Sequence, residues 1–182
     1  MLKIKKQIKS WGLDINRVTL PDMSETFMEN RDGAEKELEN TCNGLRVFAE
    51  AGLRIARQRV AGSTLNERLL RYRAPHHGGY MSRAESVGLR KDKPDGPDLE
   101  DLETWWDRFC KVYDHLVPIA EETDIRLAIH PSDTPLPDTG LGGLGFHRVI
   151  DAYSSCHGSY LYCCRTRAEA GGSAIVLDEI NN

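Results

Sequence analysis

The sequence predicts an α/β fold of about four parallel strands alternating with helices, and three observations carry that expectation. Short apolar runs of strand length, bounded by turn residues, recur at Leu53–Val60, Ile125–His130 and Gly158–Cys164. Longer segments with apolar residues at helical spacing separate them, the clearest at Leu99–Thr123. The two kinds alternate along the chain, and a strand, helix, strand order calls for parallel pairing with right-handed crossovers.

Residues 2–11 read as the end of a helix, with Leu2, Ile4, Ile8 and Trp11 apolar and Gly12 as the stop. Leu13 to Leu20 alternates through Leu13, Ile15, Val18 and Leu20 and ends at Pro21, the pattern of a strand. After a polar segment, Leu38, Cys42, Leu45, Phe48 and Ala49 mark a helix over 33–51, capped by Gly52. Leu53–Val60 is the next strand, with Arg57 and Arg59 near its C-terminal end. Ala61 to Pro97 is polar and rich in Gly and Pro, and is expected to be a long loop, a lid over a site or disordered. His76, His77 and Tyr80 within it read as solvated side chains before they read as catalytic ones.

The helix over 99–123 presents Leu102, Trp105, Trp106, Phe109, Val112, Tyr113, Leu116, Ile119 and Ala120 as one wide apolar stripe, started by Pro97 and Asp98. Pro118 is expected to kink or split it; Cys110 and His115 are assigned to packing or surface. The strand 125–130 follows. Its core, Leu127-Ala128-Ile129, is continuously apolar, as in a strand buried on both faces, and Pro131 ends the ladder after His130. Pro131 to Gly145 reads as a loop, 146–153 as a short helix, 158–164 as the last strand, and Arg165–Gly172 as a turn before a helix from near Ala174.

The chain of 182 residues is long enough for one domain over 1–182 with a real core. Its net charge of −4, with 24 basic residues dispersed among 28 acidic ones, excludes the basic face of a nucleic-acid binder. No apolar run reaches the roughly 20 residues of a membrane span, and Met1 to Lys6 lacks a signal-peptide apolar region. Five cysteines without a repeating spacing argue against a disulfide framework, so reduced thiols and a cytoplasmic location are expected.

A parallel strand delivering a histidine at its C-terminal end stands where barrel and open-sheet α/β enzymes place their chemistry. A structural histidine, hydrogen-bonded at a strand end, is the competing reading of His130. Tyr160-Leu161-Tyr162-Cys163-Cys164 closes the next strand, and parallel neighbours lie about 4.8 Å apart. Residues at their two C-terminal ends can therefore share an ion, and imidazole with thiolate suits Zn, Fe or Mn. Two ligands do not complete a site, and paired strand cysteines are also ordinary core residues. Gly140-Leu141-Gly142-Gly143 lacks the Lys and Ser/Thr of a phosphate loop, and no dinucleotide fingerprint is present.

The run His130-Pro131-Ser132-Asp133-Thr134-Pro135 resembles the His-Pro-Asp-Asp-Pro-Pro motif of mannonate dehydratases of the xylose-isomerase-like barrel type. Asn40–Leu45 with Phe48–Gly52 resembles that family's helix before its third strand. Tyr162–Thr166 with Glu169 and Gly171 resembles its Cys-x-Gly-Thr segment, and Leu177–Ile180 its next helix. The resemblance implies a partial (β/α)8 TIM barrel and the dehydration of D-mannonate to 2-keto-3-deoxy-D-gluconate with Mn2+ or Fe2+. It matches His130 and Cys163 to two metal ligands, makes Asp133 a candidate for orienting His130 or the substrate, and gives Arg57 and Arg59 a sugar-acid carboxylate to meet. A turn-capping Asp133 and solvated arginines are the competing readings.

Two departures from the family pattern stand out. Gly140-Leu141-Gly142-Gly143-Leu144 replaces Gly-Leu-Pro-Arg-Ile, removing an arginine, and Arg165 replaces a glycine beside the matched cysteine. The resemblance further predicts that the first strand, a second histidine, a later aspartate ligand and the general acid and base lie outside these 182 residues. A half barrel exposes sheet edges, so pairing into a homo-oligomer is expected. A related metal-dependent sugar isomerase or epimerase, with a carboxylate-rich site, and a non-catalytic remnant are the alternative functions.

Overall fold

The computed structural model describes residues 1–58, 60, 70–86, 99–130, 143–164, 174, 176 and 177. Among them the chain runs α1 (Leu2–Ser10), β1 (Val18–Thr19), α2 (Glu25–Met28), α3 (Ala34–Glu50), β2 (Ile55–Arg57), β3 (Leu70–Pro75), β4 (Met81–Ser86), α4 (Leu99–Thr123), β5 (Arg126–Ile129), α5 (Gly143–Ala152) and β6 (Gly158–Tyr160). Strands β1, β2, β5 and β6 make one sheet in that order, every neighbouring pair parallel. The spatial order follows the chain without reversal, as in a sheet that winds toward a barrel; a doubly wound sheet reverses at a switch point. The parallel α/β expectation is met.

Register sets two rows across the sheet. Val18, Ala56, Leu127 and Gly158 lie side by side, and Thr19, Arg57, Ala128 and Ser159 form the next row. Alternation sends the rows to opposite faces. Ala56 and Leu127, with Leu20 and Ile129 two residues or one row-pair on, join Leu38, Leu45, Phe109, Val112 and Leu116 in one buried cluster. That face is covered by α3 and α4; the Thr19 to Ser159 row faces the other way.

The α4 stripe is buried as its periodicity requires: Trp105, Phe109, Val112, Tyr113, Leu116, Ile119 and Ala120 are all in the core. Phe109 stacks on Trp105 at 5.3 Å and on Tyr113 at 4.3 Å between ring centroids. Trp105 Nε1 donates to the Val60 carbonyl at 3.1 Å, which fixes the helix against the end of β2. The helix continues through Pro118 without splitting. Proline forfeits the hydrogen bond to the Asp114 carbonyl, but Leu116, Val117, Ile119 and Ala120 around it are all buried, and that packing holds the helix together.

Helix α3 ends as its sequence predicts. Gly52 takes φ +69°, its N–H donates to Ala49 O at 2.8 Å, and Leu53 N–H donates to Phe48 O at 3.1 Å. This is a Schellman closure, for which glycine has the lowest cost. Lys5 Nζ donates to Ala51 O at 2.6 Å and Gly52 O at 3.1 Å, so α1 places a cation at the negative end of α3.

Several expected boundaries are corrected. Among the described residues, Leu13–Leu20, Leu53–Val60 and Gly158–Cys164 form strands at 18–19, 55–57 and 158–160, with an isolated parallel bridge between Val60 and Met23. Alternation does not by itself report backbone pairing: Leu13 is exposed, and Ile15 N–H donates to the Asp14 carboxylate at 2.8 Å. The single turn α2 is too short to show a period. Helix α5 starts at Gly143, inside the segment read as loop.

The long 61–97 segment is also corrected, because it contains the antiparallel hairpin β3–β4. His76 N–H donates to Tyr80 O at 2.9 Å, and Gly78 and Gly79 at φ +90° and +82° make the reversal. His76, His77 and Tyr80 are exposed at its tip, as expected. The remainder of that segment, residues 131–142 of the expected 131–145 loop and the expected turn over 165–172 lie outside the described residues, as does most of the helix expected from Ala174. Among the described residues no helix is long and apolar enough to cross a membrane.

Tyr113 supplies a stability test. Its side chain is fully buried and its hydroxyl has no hydrogen-bond partner among the described residues; burial pushes the phenol well above its usual pKa. An unsatisfied buried hydroxyl costs about 1–3 kcal/mol. Tyr113→Phe is therefore expected to raise the urea midpoint, by about 1 kcal/mol of stability, with the denaturant slope unchanged. A lower midpoint would mean that a water satisfies the hydroxyl.

Candidate metal centre

The site is built by the C-terminal ends of β5 and β6. Ile129 pairs with Tyr160, and Leu161 N–H donates to Ile129 O at 2.8 Å. The ladder thus extends one step beyond β6 and brings His130 level with Leu161. Cys163 follows two residues later, a span of roughly 6–7 Å in extended chain. Both His130 and Cys163 are half-buried. The adjacency anticipated for their two strands is present.

Side-chain alternation places His130 on the face of Ala128, the face turned away from α3 and α4. Arg57 occupies the same row as Ala128 on the neighbouring strand β2 and is half-buried. A cationic position therefore lies one strand over and two residues below His130. Thr19 and Ser159 complete that row, and neither was singled out in the sequence. The available signal was parity alone: once β6 is registered to β5, Ser159 shares the face of His130. Arg59 and Asp133 lie outside the described residues.

Imidazole and thiol are donors suited to a borderline divalent ion. Among the described residues no group of three His, Cys, Asp or Glu is assembled to hold one. Such an ion takes three or four donors, and His130 and Cys163 are two residues of the right donor chemistry on these neighbouring segments. Cys42 and Cys110 lie on helices, away from these strand ends. Cys42 is buried in α3 and Cys110 half-buried in α4, and burial raises the thiol pKa of both.

A parallel sheet wound in chain order, helices on one face and candidate ligands at the C-terminal strand ends, defines part of a (β/α)8-type barrel. Comparison with known proteins agrees and is more particular. Residues 97–157, which include α4, β5 and His130, match the family model of D-mannonate dehydratase. The fold is similar to the crystal structure of mannonate dehydratase from Streptococcus suis serotype2, with a TM-score of 0.67 and 22% identity over 86% of this chain. The match covers 49% of that protein, so the chain spans about half its length.

Proposed function

We propose that this chain carries part of the site of a mannonate dehydratase, which removes water from D-mannonate to give 2-keto-3-deoxy-D-gluconate in hexuronate catabolism. One coincidence carries the reading: in the family-matched segment His130 directly follows β5, and the strand leading to Cys163 is its direct neighbour. His130 and Cys163 would hold Mn2+ or Fe2+, which when bound supplies Lewis acidity at the charge that develops beside the carboxylate. Arg57, on the same face, is positioned to meet that carboxylate with a planar two-pronged donor; Arg59 and Asp133 are further candidates to hold the substrate. The reaction breaks the C2–H and C3–O bonds, releases water, and leaves an enol that tautomerises to the ketone. The hydrophobic layer of α3 and α4 behind the sheet excludes water from the rear of the site.

A cytoplasmic setting suits five cysteines that form no disulfide, and association of sheet edges into a homo-oligomer suits a four-stranded parallel sheet. The test follows what this chain itself would supply: reconstituted with Mn2+ or Fe2+, it is titrated with D-mannonate. Metal-dependent binding of D-mannonate is expected, and Arg57→Ala is expected to weaken it. Conversion of the sugar acid to an isomer without loss of water would place the chain with the related isomerases instead, and metal-loaded protein that does not bind D-mannonate would remove the dehydratase reading for this chain.

A further inference from the structure

A second constellation lies at the opposite, N-terminal end of the sheet, where the residues just before β2, β5 and β6 converge. Arg54 Nη1 donates to Asp124 Oδ2 at 2.6 Å. Asp124 Oδ1 lies 3.3 Å from His157 Nε2, and His157 Nδ1 lies 3.4 Å from Cys156 Sγ. The backbone holds these groups in place. Asp124 adopts φ +52° after the last turn of α4, Arg126 N–H donates to Arg54 O at 2.9 Å, and Leu127 N–H donates to His157 O at 2.7 Å. The tautomer with hydrogen on Nε2 satisfies both contacts: Nε2–H donates to the carboxylate, and the Nδ1 lone pair accepts the S–H. The imidazole is largely covered, at 20% exposure, while Cys156 is exposed to solutes.

A nucleophile within reach of a base, with the base oriented by a third group, is the arrangement that activates a side chain for covalent chemistry. We propose that Cys156 is a nucleophilic thiol and a modification site for small electrophiles, hydroperoxides among them, with His157 as its base and Asp124 as the residue that positions His157. With a hydroperoxide, the sulfur attacks the terminal oxygen, an S–O bond forms and the O–O bond breaks. The S–H proton passes to His157 Nδ1 and then to the departing alkoxide. The thiol is oxidised to a sulfenic acid, the hydroperoxide is reduced to an alcohol, and the imidazole is returned neutral. The site is separate from the strand ends that carry His130 and Cys163 and does not depend on the metal reading.

The same contacts also tie three strand starts together, so the test needs a readout that a structural role would not move. The native chain is pulsed with iodoacetamide at neutral pH and each cysteine is followed by mass spectrometry. Cys164, also exposed, is the internal reference. Cys156 is expected to react at least about tenfold faster than Cys164, a modest share of what a positioned base supplies in enzymes. In His157→Gln the advantage is lost, and in Asp124→Asn it is reduced; asparagine tolerates the left-handed φ, so this variant serves if the first fails to fold. After treatment with hydrogen peroxide, dimedone is expected to label Cys156 first. Equal rates at Cys156 and Cys164, or an unchanged Cys156 rate in folded His157→Gln, would overturn the proposal.

Discussion

His130→Ala is expected to weaken divalent-metal binding by at least about a hundredfold, since losing residues that merely support a ligand already costs 10- to 100-fold. His130 is half-buried, just past the end of β5, and its removal leaves the strand's pairing with β2 and β6 untouched. Metal affinity and thermal stability should therefore separate. Competition titration against a chelator reports the first, and a far-UV melt of the metal-free protein should shift by no more than a few degrees. A large stability loss with unchanged metal affinity would return His130 to the structural role that the sequence left open.

Phe109→Ala should do the reverse. Phe109 is 2% exposed, at the centre of α4's buried face, and it touches Trp105, Trp106 and Tyr113 in stacked geometry and Tyr153 edge-on. Truncating a buried aromatic of this kind costs about 3–5 kcal/mol, against a total of roughly 5–15 kcal/mol for a domain. Urea unfolding is expected to show most of the stability gone. A loss under about 1 kcal/mol would mean that the cluster relaxes into the vacated space, contrary to a close-packed core.

The contrast between these residues explains how much was legible in the sequence. Helix α4 and the Gly52 closure were readable because each is local: a 3.6-residue period sustained over many turns, and one glycine where a left-handed residue is needed. Strand β5 was readable from three consecutive apolar residues and the proline after His130. The hairpin was not, because Leu70, Tyr72 and Ala74 alternate with Arg71 and Arg73 over only a few residues inside a polar segment rich in Gly and Pro, and its pairing follows from backbone register with β4. Strand lengths were overestimated because apolar alternation runs on past the paired residues, through the exposed Leu13 and the half-buried Ile15.

The candidate centre was half legible. A histidine at a strand end and a cysteine at the next could be named from order alone, because parallel neighbours bring their C-terminal ends together. Arg57 entered as an arginine near a strand terminus, and only the register shows that it shares a face with His130. The Cys156, His157 and Asp124 arrangement was invisible. Its one local sign is an adjacent Cys-His pair, whereas Asp124 is 33 residues from His157 and meets it only once the sheet has formed.

Cobalt substitution tests the central claim, that His130 and Cys163 bind one divalent ion. Co2+ takes the donors that zinc, iron or manganese would use, and a coordinated thiolate adds a sulfur-to-metal charge-transfer band to its spectrum. The wild-type chain loaded with Co2+ should show that band, with Cys163→Ser abolishing it and His130→Ala diminishing it. An absent band, or one that survives Cys163→Ser and disappears with Cys156→Ser, would contradict the assignment.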